Sequence, residues 1–265
     1  MRAGLELWAA HTGAKLVLLD DASDPERAVR LHEQLVRRGC RLVLGPYGSD
    51  SARAVARAGQ GRVVWNHGAA ADDVQRLPGV VSVPAPASRY LVALGRAVAR
   101  LRPGARVAVV RAPGRFAAFA VEGLEQQAGA LEWEIEFFHR IGTGRLLFGG
   151  LSPGLAGFPE LLGDDPEGLL APVQWHPDLV AEPELGPATV ELQDYVAAQA
   201  YAASLIAERC LELDPDRPLA AAHRLRTTTF FGGFELSADG RQTGHRLSVV
   251  QWQSGRRELI ALDAA

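Results

Sequence analysis

The chain has 265 residues, 48% hydrophobic and 22% charged, with a formal net charge of -3. That composition suits one large globular domain or two small ones. Arg and carboxylates are interspersed, so there is neither a basic stripe for nucleic acid nor a Lys/Arg-rich amphipathic stretch for a membrane surface.

Met1 leads straight into a helical pattern over residues 1–12, with Leu5, Leu7 and Trp8 spaced for one face. No charged n-region, apolar h-region and small-residue cleavage site stand there, so the chain as written is expected to carry no export signal. No apolar run reaches the roughly 20 residues that span a bilayer. Lys15–Asp20 (KLVLLD) is a continuous apolar run and predicts a buried strand. Ser23 followed by Glu26, with Pro25 between them, reads as a capping box that opens a helix with Ala28, Val29, Leu31, Leu35 and Val36 on one face. Arg41–Leu44 predicts the next strand, Ser49-Asp50-Ser51 the start of a short helix, and Arg62–Trp65 a further strand.

The alternation continues with a helix over 87–102, a strand at Arg106–Val110, a helix over 115–128 and a strand at Glu132–Phe138. Such alternation implies parallel sheets with helices on both faces. Right-handed crossovers then bring the loops after the strands to one edge, where ligands of open α/β sheets bind. Further on, Arg145–Phe148 and Gly168–Val173 predict short strands, 149–167 a loop, Tyr195–Leu213 a long helix and Leu219–Arg226 a shorter one. Ala238-Asp239-Gly240 reads as the turn of a hairpin between 234–236 and 246–252. Ser254-Gly255 is a second turn, before a last strand at Glu258–Ala261. Cys40 and Cys210 read as two buried free thiols, with a disulfide between them as the alternative.

Motifs for catalysis fail one by one. The carboxylate pairs Asp20-Asp21, Asp72-Asp73 and Asp164-Asp165 stand beside turns or caps, and adjacent residues point to different sides. Asp72 and Asp73 read either as attracting a ligand ammonium or as starting a helix and facing water. Gly45-Pro46-Tyr47-Gly48-Ser49 lacks the glycine offsets of a nucleophile elbow. Gly142-Thr143-Gly144 precedes a strand and has Leu147 at the third glycine position of a dinucleotide fingerprint. Lys15 is the sole lysine, so no phosphate-loop motif exists. No Cys/His cluster has zinc-ligand spacing. The expectation is therefore no catalytic residue, no metal and no cofactor.

The loop Pro46-Tyr47-Gly48-Ser49 joins a strand to a helix, so free N–H groups and partial positive charge face whatever binds there. A ligand carboxylate fits, with Gly48 permitting close backbone approach. Ser49 reads equally as a simple N-cap. His67, in the next strand-end loop, is either a cleft residue or a structural histidine.

Three segments resemble the Leu/Ile/Val-binding protein family, the type I periplasmic solute-binding proteins of branched-chain amino-acid ABC transporters. They are LVLLDDASDPERAVRLHEQLV through Val36, running into Leu42-Val43-Leu44-Gly45-Pro46; GDDPEGLLAPVQWHPD over Gly163–Asp178; and Tyr195–Glu208 with Phe231–Val250. The resemblance implies an α/β fold of two Rossmann-like lobes with parallel sheets and a hinge, clamping a small ligand without chemistry. Carried over, lobe one is 1–85 plus 175–231 and lobe two is 86–174 plus 232–265.

The resemblance also implies a site. Tyr47, Gly48 and Ser49 would meet the ligand carboxylate, and His67, Gly68, Ala69 and Ala70 would form a second ligand loop. Phe116 and Ser152 would act from lobe two, and Trp175, on a hinge strand, would either stack on the ligand or pack at the hinge. Ala70 replaces a frequent Thr, and Leu151-Ser152 stands where an acidic or polar partner of the ligand ammonium falls. The implied ligand is an amino acid, an amide or a hydrophobic carboxylate. The implied partner is an ABC permease, with no nucleic acid, and the location is periplasmic or at the cell surface. An intracellular or fused sensing module, and a non-binding remnant, are the alternatives. The family's opening strand, before the first helix, has no counterpart here, and the stretch between Phe138 and Arg145 is short. The chain thus resembles a member trimmed at its N-terminus and in lobe two.

Overall fold

The structure is a computed structural model and describes residues 1–59, 62–104, 107–109, 113–129, 135–136, 149–179 and 182–262. The chain divides into two compact units, 1–86 with 179–245, and 87–178 with 246–265.

The first unit opens with α1 (Arg2–Thr12), α2 (Pro25–Arg37) and α3 (Ser49–Ala58). Then come β1 (Val64–Asn66), α4 (Asp72–Gln75) and β2 (Val80–Ser82). β1 and β2 run parallel, Val64 opposite Val80 and Asn66 opposite Ser82. Leu44 adds a parallel bridge to Trp65. Val55, Val64, Val80 and Ala28 form a buried cluster beneath these elements.

After its return to this unit the chain forms α8 (Tyr195–Leu213), α9 (Pro218–Arg224) and the hairpin β6 (Thr227–Thr229) to β7 (Gly232–Phe234). α8 is buried over most of its length because its sequence supplies small residues, Ala197, Ala198, Ala200, Ala202 and Ala203 among them. α1 lies directly on it. A Cβ on Gly4 would stand 1.9 Å from the Ala197 carbonyl oxygen, so only glycine permits this approach. Trp8 Nε1 donates to Glu208 at 3.4 Å.

The second unit contains α5 (Tyr90–Leu101), β3 (Val107–Ala108), α6 (Arg115–Gln127), β4 (Ile135–Glu136) and α7 (Phe158–Leu162). β3 and β4 pair in parallel. A separate antiparallel sheet has the order β5 (Leu170–Val173), β8 (Ser248–Gln253), β9 (Arg256–Leu262). Ser254 (φ 52°) and Gly255 (φ 75°) make its two-residue turn, whose positive φ values match the twist of a hairpin. Trp252 Nε1 donates to the Pro153 carbonyl at 2.8 Å, fixing the loop before α7 to β8.

Several expectations change. Lys15–Asp20 belongs to no strand, and of Arg41–Leu44 only Leu44 pairs. An apolar run forms a strand only where a neighbour supplies ladder partners. Ser23 does not cap α2. It sits at φ 59°, and Asp24 caps instead, its Oδ1 accepting from Glu26 N (2.8 Å) and Arg27 N (3.0 Å). The turn at 238–240 exists, with Ser237 N donating to Arg241 O at 2.8 Å. Its expected hairpin does not: Phe234 pairs with Thr227, and Ser248–Gln253 pairs with β5 and β9. Residues 232–245, assigned to lobe two, therefore belong to the first unit. Gln242 ties them there, its N–H donating to Gln75 Oε1 (3.0 Å) and its Nε2 to Val83 O (3.2 Å). Both cysteines are free, but Cys40 is only half-buried; burial pushes the Cys210 thiol up to about 12. The strand expected at Arg145–Phe148 lies outside the described residues. No helix among the described residues is long and apolar enough to cross a membrane.

Gly4→Ala should overpack the contact of α1 with α8 at a cost of about 1–3 kcal/mol. Urea unfolding should show a lower midpoint with an unchanged slope.

Candidate functional site

The bridge of Leu44 to Trp65 and the pairing of β1 with β2 place two loops side by side at the carboxyl end of the strands. The first is Pro46–Ser49, leading into α3. The second is His67–Ala71, leading into α4.

α3 begins after Gly48, whose φ of 94° favours glycine, and its N-terminus has no side-chain cap. Ser49 is the first residue of the helix, not its cap. Its Oγ accepts from Ala71 N at 3.3 Å and so bridges the two loops. Among the described residues no side chain accepts from the first-turn N–H groups of this ten-residue helix, an arrangement that suits an anion.

The second loop is organised by Asn66, a residue sequence reasoning passed over. Its Nδ2 donates to Ala69 O and to Ser82 Oγ, both at 2.7 Å. Its Oδ1 accepts from Gly68 N (3.1 Å) and Ala69 N (2.7 Å). The amides of Gly68 and Ala69 are therefore engaged within the loop. The available signal was a polar residue closing the apolar run of β1.

Arg53 and Asp73 fasten the loops together. Arg53 Nε donates to Asp73 Oδ2 and its terminal nitrogen to Asp73 Oδ1, both at 3.0 Å, a bidentate pair that joins α3 to α4. Arg53 also bonds Asp50, so the one acidic side chain in the first turn of α3 is neutralised. Asp73 and Asp50 in turn hold the guanidinium's affinity for its proton up. The expectation that Asp72 and Asp73 face water is thus corrected: they start α4, but Asp72 is buried and Asp73 is paired with Arg53.

Tyr47 lies across Gly68. A Cβ there would stand 2.2 Å from Tyr47 Cδ2, so the glycine is what admits the ring. The Tyr47 ring also meets His67 at 6.2 Å between centroids. His67 is 2% exposed, and among the described residues its Nδ1 has no hydrogen-bond partner. Burial, helped by the Met1 amine, lowers its pKa to about 4. Ala69 and Ala70 are buried, so they act through backbone and shape.

Tyr47, Gly48, Ser49, His67, Gly68, Ala69 and Ala70 are thus gathered within the first unit. Phe116, Ser152 and Trp175 belong to the second. There Phe116 meets the edge of Tyr90 at 5.6 Å, and Tyr90 OH accepts from Gln174 Nε2 at 2.5 Å. Trp175 is 4% exposed, and Ser152 is exposed in a 3-10 turn after Leu151. Among the described residues no group of three or more His, Cys, Asp or Glu is placed to hold a metal.

An α/β unit with a bare helix N-terminus and a locked glycine loop at its strand ends defines a class of small-molecule binding domain. The family follows from the sequence: the model of the periplasmic binding protein family matches residues 1–144, and the chain belongs to that family. No curated protein matches it. Among solved structures it is similar to a leucine-binding protein from Thermotoga maritima, with 14% identity, 98% of this chain and 92% of that chain covered, and a TM-score of 0.76. A solute-binding protein from Rhodopseudomonas palustris in complex with benzoate gives 18% identity, 98% and 90% coverage, and a TM-score of 0.73. A branched-chain amino-acid binding protein from Streptococcus pneumoniae in complex with isoleucine gives 12%, 98% and 93%, and 0.72. These likenesses show the type I periplasmic binding protein fold.

The pH dependence of stability follows from His67. Its folded pKa is about 4, against 6.5 in the unfolded chain. Between those values the unfolded chain takes up a proton that the folded one does not, so stability falls as pH drops from 6.5 towards 4. At about 1.4 kcal/mol per unit, the loss approaches ~3 kcal/mol. Urea titrations at pH 7 and pH 4.5 should show that loss, and His67→Gln should reduce it.

Proposed function

We propose that this protein is the extracytoplasmic solute-binding component of an ABC uptake system, and that its ligand is a small hydrophobic carboxylate. The observation that carries the reading is the bare N-terminus of α3 beside Gly48. Oriented N–H groups there favour a carboxylate, and Arg53 offsets the nearby Asp50.

The preference for a simple carboxylate over an α-amino acid rests on two positions carried over by the family resemblance. By resemblance, Ala70 replaces a frequent Thr and Leu151 stands at the position of an ammonium partner, so neither side chain supports an α-amino acid. The relatives include both kinds, a benzoate complex and an isoleucine complex. By resemblance, Phe116, Ser152 and Trp175 are further ligand residues, and the partner is a permease. Binding of this kind needs no covalent step, so the proposal includes no enzymatic activity.

Calorimetric titration with benzoate, 4-hydroxybenzoate, leucine and isoleucine tests the reading. A benzoate-type acid should bind at least tenfold more tightly than leucine. Saturation at 100 times Kd should stabilise the fold by about 2.7 kcal/mol. Ser49→Ala should weaken binding about tenfold or more while the unliganded protein still unfolds cooperatively. Binding of leucine but of neither benzoate would overturn the ligand class. Binding unaffected by Ser49→Ala and by Gly48→Ala would overturn the site.

A further inference from the structure

The first unit carries a pocket of about 580 Å³ at the end of its strands away from the loops Pro46–Ser49 and His67–Ala71. Those loops follow the strands, whereas Cys40, Arg41 and Arg62, which line this pocket, lead into them. α2 and the connection from α8 to α9 supply the other walls. The volume is that of a small-molecule site.

Charge is unevenly placed around it. Leu44 pairs with Trp65 in parallel, and three residues upstream of each stand Arg41 and Arg62. The pairing thus brings two arginines to one rim. Among the described residues neither has an ion-pair partner. Like charges set opposite each other on neighbouring strands are destabilising, and an anion between them removes that cost. Arg217, also in the wall, is held by Asp214 at 3.3 Å. Asp216 is the one carboxylate among the lining residues, so three arginines against one aspartate leave the wall positive.

His32 adds a polar group inside the pocket wall. It lies one turn after Ala28 on the buried face of α2 and is 8% exposed. Among the described residues its Nε2 has no hydrogen-bond partner. A buried polar atom left in this state carries a desolvation cost that an apolar side chain there would not. Burial, and then the Arg62 guanidinium, lower its pKa, so the ring is neutral at pH 7 and one nitrogen carries a proton to donate. Arg62 is thus a neighbour of His32 as well as of Arg41. An oxygen held by the arginines would give the ring its missing partner. Val36, Val43 and Leu211 make a further part of the lining apolar.

We propose that this pocket binds a phosphate monoester with a small apolar body. The phosphate would bridge Arg41 and Arg62 and accept from His32, and the body would lie against Val36, Val43 and Leu211. Two guanidinium groups match a dianion in charge, and their paired N–H groups match phosphate oxygens in geometry. The start of α3 is a different kind of site, because it offers backbone amides. Nothing in this pocket depends on which ligand α3 receives.

Calorimetric titration of the full chain with phenyl phosphate and with inorganic phosphate, at pH 7 and constant ionic strength, tests the proposal. Alkylation of Cys40 by iodoacetamide supplies a local readout. Cys40 lines the pocket and is half-buried, whereas the Cys210 thiol is buried and pushed up to about 12, so it stays unmodified in the folded chain. Phenyl phosphate should bind at one site, about tenfold more tightly than inorganic phosphate, and at saturation should slow Cys40 alkylation about tenfold. Arg41→Gln and Arg62→Gln should each weaken binding about tenfold or more. Both residues are exposed, so the urea midpoint of each variant should stay where it was. His32→Phe, which replaces the unpartnered ring by an apolar one, should weaken binding while the chain still unfolds cooperatively. Absence of saturable binding would overturn the proposal. So would a dissociation constant unchanged when both arginines are replaced, which would send the phosphate elsewhere, the start of α3 included. Unslowed alkylation of Cys40 at saturation would overturn the location, and inorganic phosphate binding as tightly as phenyl phosphate would overturn the ligand class.

Discussion

Asn66 ends β1 with its side-chain amide inside the protein, and all four of its hydrogen bonds go to neighbouring loop and strand atoms. A buried amide that lost these partners would carry a desolvation cost of about 1–3 kcal/mol. The loop after β1 therefore has one favourable course, and the rest of the strand-end surface follows from it. Gly68 comes to lie where Tyr47 can cross it, and Ala71 comes within reach of Ser49. Ser82 on β2 joins the same network, so the adjacent strand is held in register with the loop.

Charge settles the second half of the arrangement. Arg53 is buried among carboxylates that arrive from its own helix and from α4. Breaking a buried pair by removing one partner costs about 3–5 kcal/mol, which makes the α3–α4 contact hard to vary. The consequence for binding is indirect but specific. With Asp50 engaged by Arg53, the field at the start of α3 is that of the helix itself, partially positive and unshielded by a capping side chain. His67, kept neutral at ordinary pH by burial, adds neither attraction nor repulsion for an anion.

Much of this was legible in the sequence, for reasons that also explain what was not. The long alanine-rich run predicted α8 residue for residue, because helical period and length are local properties. The loop after 44 follows from strand–loop–helix order, whereas the loop after 66 was expected from the family resemblance. Lys15–Asp20 misled, because an apolar run records the environment it is built for, and pairing depends on a neighbour that local pattern does not report. Ser23 misled in a smaller way: Asp24 competes for the same cap one residue on, and only the φ of Ser23 decides between them. The pairing of β7 with β6, and of β8 with β5, is long-range, so a turn motif could mark 238–240 without naming the strands it joins. Asn66 and Arg53 looked unremarkable in sequence, since their importance lies in partners that are distant along the chain or known only once the loop is folded.

The account stands on the start of α3 as an anion site supported by the Asn66 loop. Backbone amide NMR during titration with benzoate addresses that claim most directly. The account predicts downfield proton shifts at Ser49, Asp50 and Ser51, with smaller changes through His67–Ala71, all saturating with one dissociation constant. Saturable binding that leaves the amides of Ser49–Ser51 unmoved would contradict it.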